Sequence, residues 1–501
     1  MKTRSLFLML VVVGCGTTGS GLTDGLVSIT RDAGVPAPDL GATIDAGVDG
    51  PLRDIEIVAF LHSQAKQDGG RAYPFLVPRL ADVRAQWQWR DGGWGTSQGR
   101  LLEDGGYLIP SVPAGEAIVI FPNTQGLVSS ASFFDFSWTV QGRPTAEFPN
   151  PNVPTTVRLA ADGLPPWAPG DALVFSSLET PFRLLQLSTI PAGSTGISGS
   201  LRWDQERVPL FRGSEGDSFS VSTMRPRLLG QVSYQSMTAG RTISPPDLTV
   251  GANININVVL VEPTPAGAEV HIDFPGFEQA LREARPGQAL LASSFAVTHR
   301  RGLREVGVVR YGYRGNEAGL PMALGENIPI GLPDTRGRVQ WADLMPRDEL
   351  VASISTRFDV RVSAGSVIDS IPVFVTRTLP VSDTIDLVPT LSVPRALAVN
   401  GAPSTSFRAG VGLTPTLSWD APARGSPSRY LIVILDLVDQ NFSQAFYTTR
   451  RTFTVPPFTL TAGRTYVAVI SAQAGMFDPL NPLFQPASFE SIGTVTEAFS
   501  P

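Results

Sequence analysis

The chain has 501 residues but only one cysteine, three histidines and two lysines. One cysteine excludes a disulfide within the chain, a four-cysteine zinc site and a cysteine-ligated iron–sulfur cluster. The histidines stand in His62-Ser63-Gln64-Ala65, His271-Ile272-Asp273-Phe274 and His299-Arg300-Arg301-Gly302. None has a second ligand at the spacing that puts two zinc donors on one face, so each reads as satisfied or solvent-facing. Charge is scarce as well, at 17% of residues, and acids outnumber bases 45 to 39 for a net charge of −6. Such a chain has no global attraction for nucleic acid or for an anionic membrane face. It has no Walker loop and no dinucleotide G-x-G-x-x-G. No apolar run approaches the 18 residues of a membrane-spanning helix. No cofactor is expected.

What is plentiful is turn and core material. Hydrophobic residues make up 42% of the chain, and 49 glycines with 43 prolines punctuate it. The length suits three or four domains. From Asp54 onward, short β-rich runs alternate with Gly/Pro breaks, as in Ile55 to Phe60, Glu116 to Phe121, Asn255 to Val261 and Leu431 to Leu435. Several of these runs have period two, which predicts strands with one buried face. Helical periodicity is confined to Phe277–Ala284 and to a second candidate, Val339–Ile354, broken by Pro346. The fold class expected is all-β, with several antiparallel β-sandwich domains in tandem.

The N-terminus carries Lys2 and Arg4, then the apolar run Leu6–Val13, then Gly14-Cys15. The run is too short to span a bilayer and reads as a secretory signal. Val12-Val13-Gly14-Cys15 resembles the lipobox of bacterial lipoproteins. The resemblance implies cleavage before Cys15, a lipid thioether on its sulfur and an acylated amino group, which together give stable anchoring. Gly16 after the cysteine, rather than Asp, implies the outer membrane, on its surface or periplasmic face. Residues 16–52 are small and polar with scattered acids and no aromatic residue, and read as a solvated tether.

Two further stretches carry resemblances. Thr414–Trp419, Tyr430–Leu435 and Leu460–Val469 resemble three successive landmarks of a fibronectin type III domain: the strand with the core Trp, the next strand, and the tyrosine corner. Asp104–Gly115 resembles the closing hairpin of a carboxypeptidase regulatory-like (prealbumin-like) domain, an accessory module that implies no peptidase. The arrangement as a whole looks like that of large lipoproteins of myxobacteria. The expected organisation is a signal over 1–14, lipidated Cys15 and linker over 15–52, a regulatory-like sandwich over 53–154, a sandwich over 155–265, a β-rich unit over 266–388 and a fibronectin-like unit over 389–501.

Three features bear on chemistry. Gly95-Thr96-Ser97-Gln98-Gly99 has the form G-x-S-x-G, but a nucleophile elbow needs a buried strand before the serine and a helix after it. The flanking residues predict a hairpin instead. Trp87, Trp89, Trp94 and Tyr107 form either an exposed platform for sugar rings and aliphatic chains or a buried sandwich core, and the size of indole favours core. Arg300, Arg301 and Arg304 begin a basic island that is either a dock for acidic polysaccharide or a solvated turn. Two classes of function fit. One is a lipid-anchored, non-catalytic binding, adhesion or scaffold protein whose partners are the membrane and glycans or envelope and extracellular proteins. The other is an envelope enzyme or accessory module, for example a glycan hydrolase using dispersed carboxylates.

Overall fold

The computed structural model describes the chain from residue 51 onward, apart from short breaks and the stretches 64–70, 75–82, 141–149, 204–209, 301–320, 323–330, 342–348 and 478–487. The fold is all-β. Among the described residues there are seven sheets and one α-helix.

The first sandwich pairs Leu52–Val58 with Tyr107–Pro113 in one sheet and Arg84–Gln88 with Trp94–Gln98 and Ala117–Phe121 in the other. Between them lie Ile55, Ile57, Ala85, Trp87, Tyr107, Ile109, Val119 and Phe134. The Asp104–Gly115 stretch divides in two. Asp104 and Gly105 lie outside the described residues; Tyr107–Pro113 pairs with Arg100–Leu101, and Val112-Pro113-Ala114-Gly115 carries the chain across to the other sheet. A second core gathers Phe175, Trp203, Phe211 and Phe219. It lies between a sheet centred on Thr156–Asp162 and a sheet ending in the long hairpin Phe219–Leu229 and Val232–Ile243.

The helix Phe274–Ala284 follows the strand Ala266–Ile272. Asp273 caps it by accepting from the Gly276 N–H at 2.8 Å, and Pro275 sits in the first turn, where its missing N–H costs nothing. Its buried stripe is Phe274, Phe277, Ala280, Leu281 and Ala284. The second helical candidate is corrected by the structure. Val339 belongs to the strand Thr335–Trp341, and Ile354 to the strand Glu349–Ser363. The apolar residues there recur with period two, and residues 342–348 around Pro346 lie outside the described part.

The last two sheets make a fibronectin type III-like sandwich. One has the order Ala402–Pro403, Arg395–Val399, Thr416–Asp420, Thr452–Thr454; the other has Phe489–Val495, Tyr466–Ala474, Arg429–Asp436, Ser443–Thr448. The chain therefore crosses between sheets after Asp420, returns after Thr448 and crosses again after Thr454, a Greek-key path. Trp419 meets Tyr430 edge-on at 5.2 Å, and Phe446 meets Phe453 at 4.8 Å, across the core.

These units are joined by backbone. A single twelve-stranded sheet runs through Pro321–Met322, Leu291–Arg300, Glu349–Ser363, Ser366–Pro380, Phe489–Val495, Tyr466–Ala474, Arg429–Asp436, Ser443–Thr448, Gln125–Ser129, Ala117–Phe121, Arg84–Gln88 and Trp94–Gln98. The fibronectin-like sheet sits in its middle. One of its edges pairs with Ser366–Pro380 and the other, in parallel, with Gln125–Ser129. Gly126 makes the second seam possible, because a Cβ there would lie 2.5 Å from the Phe446 ring. The Arg450–Glu116 ion pair, at 2.7 Å, braces the same seam. The tip of the long hairpin reaches the third unit, where Leu229 and Tyr234 enter the largest core cluster.

Buried ion pairs cross the other seam. Glu490 receives Arg377, the Thr390 hydroxyl, and the backbone N–H groups of Thr390 and Leu391, the last two at 2.8 Å. Glu497 receives Arg285 from just beyond the helix and the Arg361 N–H at 2.7 Å. Glu490 accepts two hydrogen bonds at each oxygen and Glu497 one at each, so neither buried carboxylate is left without donors.

Candidate functional site

Strand register sorts the sequence-derived candidates onto opposite faces. In Arg84–Gln88, period two sends Ala85 and Trp87 to one face and Arg84, Gln86 and Gln88 to the other. Trp87 is 7% exposed and its indole lies flat over Gly95, its cross-strand partner, where a Cβ would come within 2.3 Å of the ring. Trp89 is half-buried and packs edge-on against Trp87 at 5.5 Å. Tyr107 is buried in the same core, and burial raises its pKa above the usual tyrosine value. Trp87 and Tyr107 are thus core side chains. They do not form one platform with Trp94, which register places on the opposite face of the sheet, packed against the largest core cluster.

That opposite face has a different composition. Gln88 stands opposite Trp94, Gln86 opposite Thr96, and Arg84 opposite Gln98, in three cross-strand rows at the edge of the twelve-stranded sheet. Ile118 and Ile120 continue the rows on the inner side. Exposure is graded. Gln88, Thr96 and Gln98 are exposed, Arg84 and Trp94 half-buried, and Gln86 fully buried. The Gln86 Nε2 lies 3.5 Å from the Thr96 hydroxyl, while its Oε1 and the Arg84 Nε are buried with no hydrogen-bond partner. Only Gln88, Thr96 and Gln98 face solvent here; Gln86 is wholly buried, and Trp94 packs against the largest core cluster. Sequence reading missed Gln86, Gln88 and Arg84. The available signal was the strict alternation in Arg84-Ala85-Gln86-Trp87-Gln88.

Ser97 of the G-x-S-x-G stretch lies within the strand Trp94–Gln98, and its hydroxyl donates to the Pro110 carbonyl. A serine in an extended strand with its proton on a backbone oxygen is not a nucleophile elbow.

His271 is satisfied rather than isolated. Asp386 bonds its Nδ1 and Asp334 its Nε2, the latter at 2.5 Å, on the outer face of the sheet Thr335–Trp341, Ala266–Ile272, Thr384–Leu387. Arg336, its cross-strand neighbour, approaches Nε2 at 3.4 Å and Asp334 at 3.4 Å. With both ring nitrogens held by carboxylates, neither is aimed at a substrate as a general base. Among the described residues no group of three His, Cys, Asp or Glu side chains could hold a metal ion.

Arg429 is buried in the fibronectin-like sheet between two rings, 4.4 Å from the centre of Tyr447 and 3.5 Å from that of Phe477. Its Nε donates to the Gln473 carboxamide at 2.8 Å. Burial lowers its pKa to about 10, with the facing Tyr447 acting in the opposite direction. Of the remaining candidates, Arg300 ends the strand Leu291–Arg300 and pairs through its backbone with Glu349, while its side chain lies outside the described part. Arg301, Arg304, His62's side chain, His299's side chain and Cys15 lie outside the described residues.

No family model matches the chain, and no curated protein does. Among solved structures, the chicken CNTN1 FN1–FN3 domains are similar to 71% of this chain and to 98% of their own length, at 12% identity and a TM-score of 0.15. The fibronectin-like assignment of the C-terminal sandwich rests on its own strand order and on its tyrosine corner, where the Tyr466 hydroxyl accepts from the Thr461 N–H at 2.9 Å.

Proposed function

We propose that this protein is a lipid-anchored component of a bacterial envelope, held to the outer membrane through Cys15, that serves as a stiff non-catalytic binding or adhesion scaffold. The observation that supports the scaffold reading best is the twelve-stranded sheet, which fuses the units end to end where flexible linkers would let them swing. Buried joints at Glu490 and Glu497 add to that stiffness. In this reading the tether over 16–52 supplies reach and the body supplies a fixed presentation of its edges. The first sandwich plays the part of an accessory module of the carboxypeptidase regulatory-like kind. Partners are glycans or proteins of the envelope and its surroundings.

The test is surface proteolysis of intact cells beside membrane fractionation of a Cys15→Ala variant. Degradation of the wild-type body together with release of the variant from membranes supports a surface anchor. Protection of the wild type with release of the variant places the body on the periplasmic face. A variant retained in membranes overturns the lipid anchor.

A further inference from the structure

We infer that the strand Asn253–Val259 is a joint between two copies of this chain, paired edge to edge and antiparallel about Asn255. The inference goes beyond the anchored-scaffold reading and does not rest on it.

The edge of this strand is open. Asn253–Val259 lies at one end of its three-stranded sheet and pairs there with Thr156–Asp162. The Thr156 N–H bonds the Ala252 carbonyl, and the Leu260 N–H bonds the Asp162 carbonyl, so even-numbered residues turn their backbone groups toward Thr156–Asp162. With period two, Asn253, Asn255 and Asn257 turn theirs away from it. All three residues are exposed, and their outward N–H and C=O groups have no partner among the described residues. The edge closes only beyond them, where the Val259 carbonyl accepts from Arg241 at 3.4 Å and Val261 bridges to Gly240.

Open edges recruit other strands unless something guards them. Elsewhere in this chain something does. Pro321–Met322 and Ala402–Pro403 are two residues long and carry proline, and Thr335–Trp341 carries Arg336 and Arg338. From Ala252 to Val261 there is no charge, no proline and no glycine, and the pairing with Thr156–Asp162 runs through without a bulge.

The sequence of the strand selects a second copy as its partner. Asn253-Ile254-Asn255-Ile256-Asn257 reads the same in both directions. Antiparallel pairing about Asn255 therefore sets Asn255 against Asn255, Asn253 against Asn257 and Ile254 against Ile256. Carboxamides meet carboxamides on the solvent face and isoleucines meet on the core face, so both faces stay in register. The outward backbone groups fall opposite one another, each asparagine pair exchanging both N–H···O bonds. The flanks match as well. Val250 is exposed just before the strand, with Val153 exposed beside Gly251, while Val259 and Val261 are exposed at its end. A two-fold axis brings the start of one strand to the end of the other, and so sets these valines beside valines.

The experiment is sedimentation velocity of the full chain in a Cys15→Ala background, so that lipid cannot drive association. The chain is expected to pass from monomer to dimer between about 1 and 100 micromolar, as suits a joint smaller than a standard interface. Asn255→Lys sets two like charges opposite each other at the axis and should weaken the dimer about tenfold or more, as should Asn255→Glu. The side chain is exposed, so thermal unfolding of the dilute variants should stay close to that of the parent. Mixing the Lys and Glu variants in equal amounts should restore the dimer, an outcome that a mere loss of folding cannot give. Asn255→Pro removes the outward N–H, which an edge strand tolerates in the monomer, and should abolish association. The inference is overturned if the parent stays monomeric throughout, if the single variants associate as it does, or if the Lys and Glu mixture remains monomeric. Membrane release of Cys15→Ala is independent of these outcomes, so failure here leaves the anchored scaffold standing.

Discussion

Glu490 and Arg377 are direct cross-strand partners, with the carboxylate 1% and the guanidinium 17% exposed, at the seam between Phe489–Val495 and Ser366–Pro380. Their contact joins the fibronectin-like sheet to the unit before it. Glu490→Ala would leave Arg377 and two backbone N–H groups without their acceptor, and is expected to cost about 3–5 kcal/mol. Glu490→Gln keeps the shape but turns an amide donor toward other donors, so it should also destabilise, by less. Urea unfolding of both variants decides the matter, and a loss below about 1 kcal/mol for the alanine would mean that the pair is solvated.

The tyrosine corner gives a smaller and cleaner effect. Tyr466→Phe removes only the hydroxyl that accepts from the Thr461 N–H. A loss of about 1 kcal/mol is expected in equilibrium denaturation, with the core ring still in place.

At the parallel seam, Gly126→Val would drive side-chain atoms into the Phe446 ring. Overpacking of this kind costs about 1–3 kcal/mol. Because the seam also couples the first sandwich to the last, calorimetry should show the wild-type transition of these two units splitting in the variant. A single transition shifted as a whole would argue that the units do not depend on this strand pair for their coupling.

Tyr107, Tyr430 and Tyr447 all have pKa values raised by burial. A phenol that ionises later in the folded chain than in the unfolded one lends stability that is complete below pH 10 and is lost as pH rises through the folded values. Arg429 has the opposite sense. Its folded value of about 10 lies below the ordinary arginine value, so its burial costs stability at neutral pH, and that cost fades as pH rises from the folded value toward the ordinary one. Ultraviolet titration of the folded protein should show part of the tyrosinate signal delayed beyond pH 10 and restored to the ordinary range in urea. A signal that titrates wholly near 10 in the folded protein would contradict the burial.

How far the sequence reveals this molecule follows from the range of the interactions involved. Trp419 and the Thr461–Tyr466 corner were legible because the corner is closed within five residues and the Trp sits in an alternating strand. The capped helix after Asp273 was legible in part from its apolar stripe. The alternation around Trp87 also held the division of faces, yet the three nearby tryptophans read as one cluster, with core favoured over platform for all of them. Only the antiparallel register, which sets Trp87 over Gly95 and Trp94 beside Gln88, separates them. The seams were not legible at all. Arg377 and Glu490 are 113 residues apart, and nothing local marks a buried glutamate as the partner of a distant arginine.

The position of Phe489–Val495 bears on the order of events when the protein is made. This strand is synthesised after every other strand of the twelve, yet it lies between Ser366–Pro380 and Tyr466–Ala474, inside the sheet. The strands on either side therefore wait with an open edge until it arrives, and open edges invite wrong pairings. Growth of the sheet cannot keep pace with synthesis; its closure is a late, long-range step of the kind that folds slowly. A chain built this way stays loose while it emerges and becomes one body only when the insertion of a single strand joins its two halves.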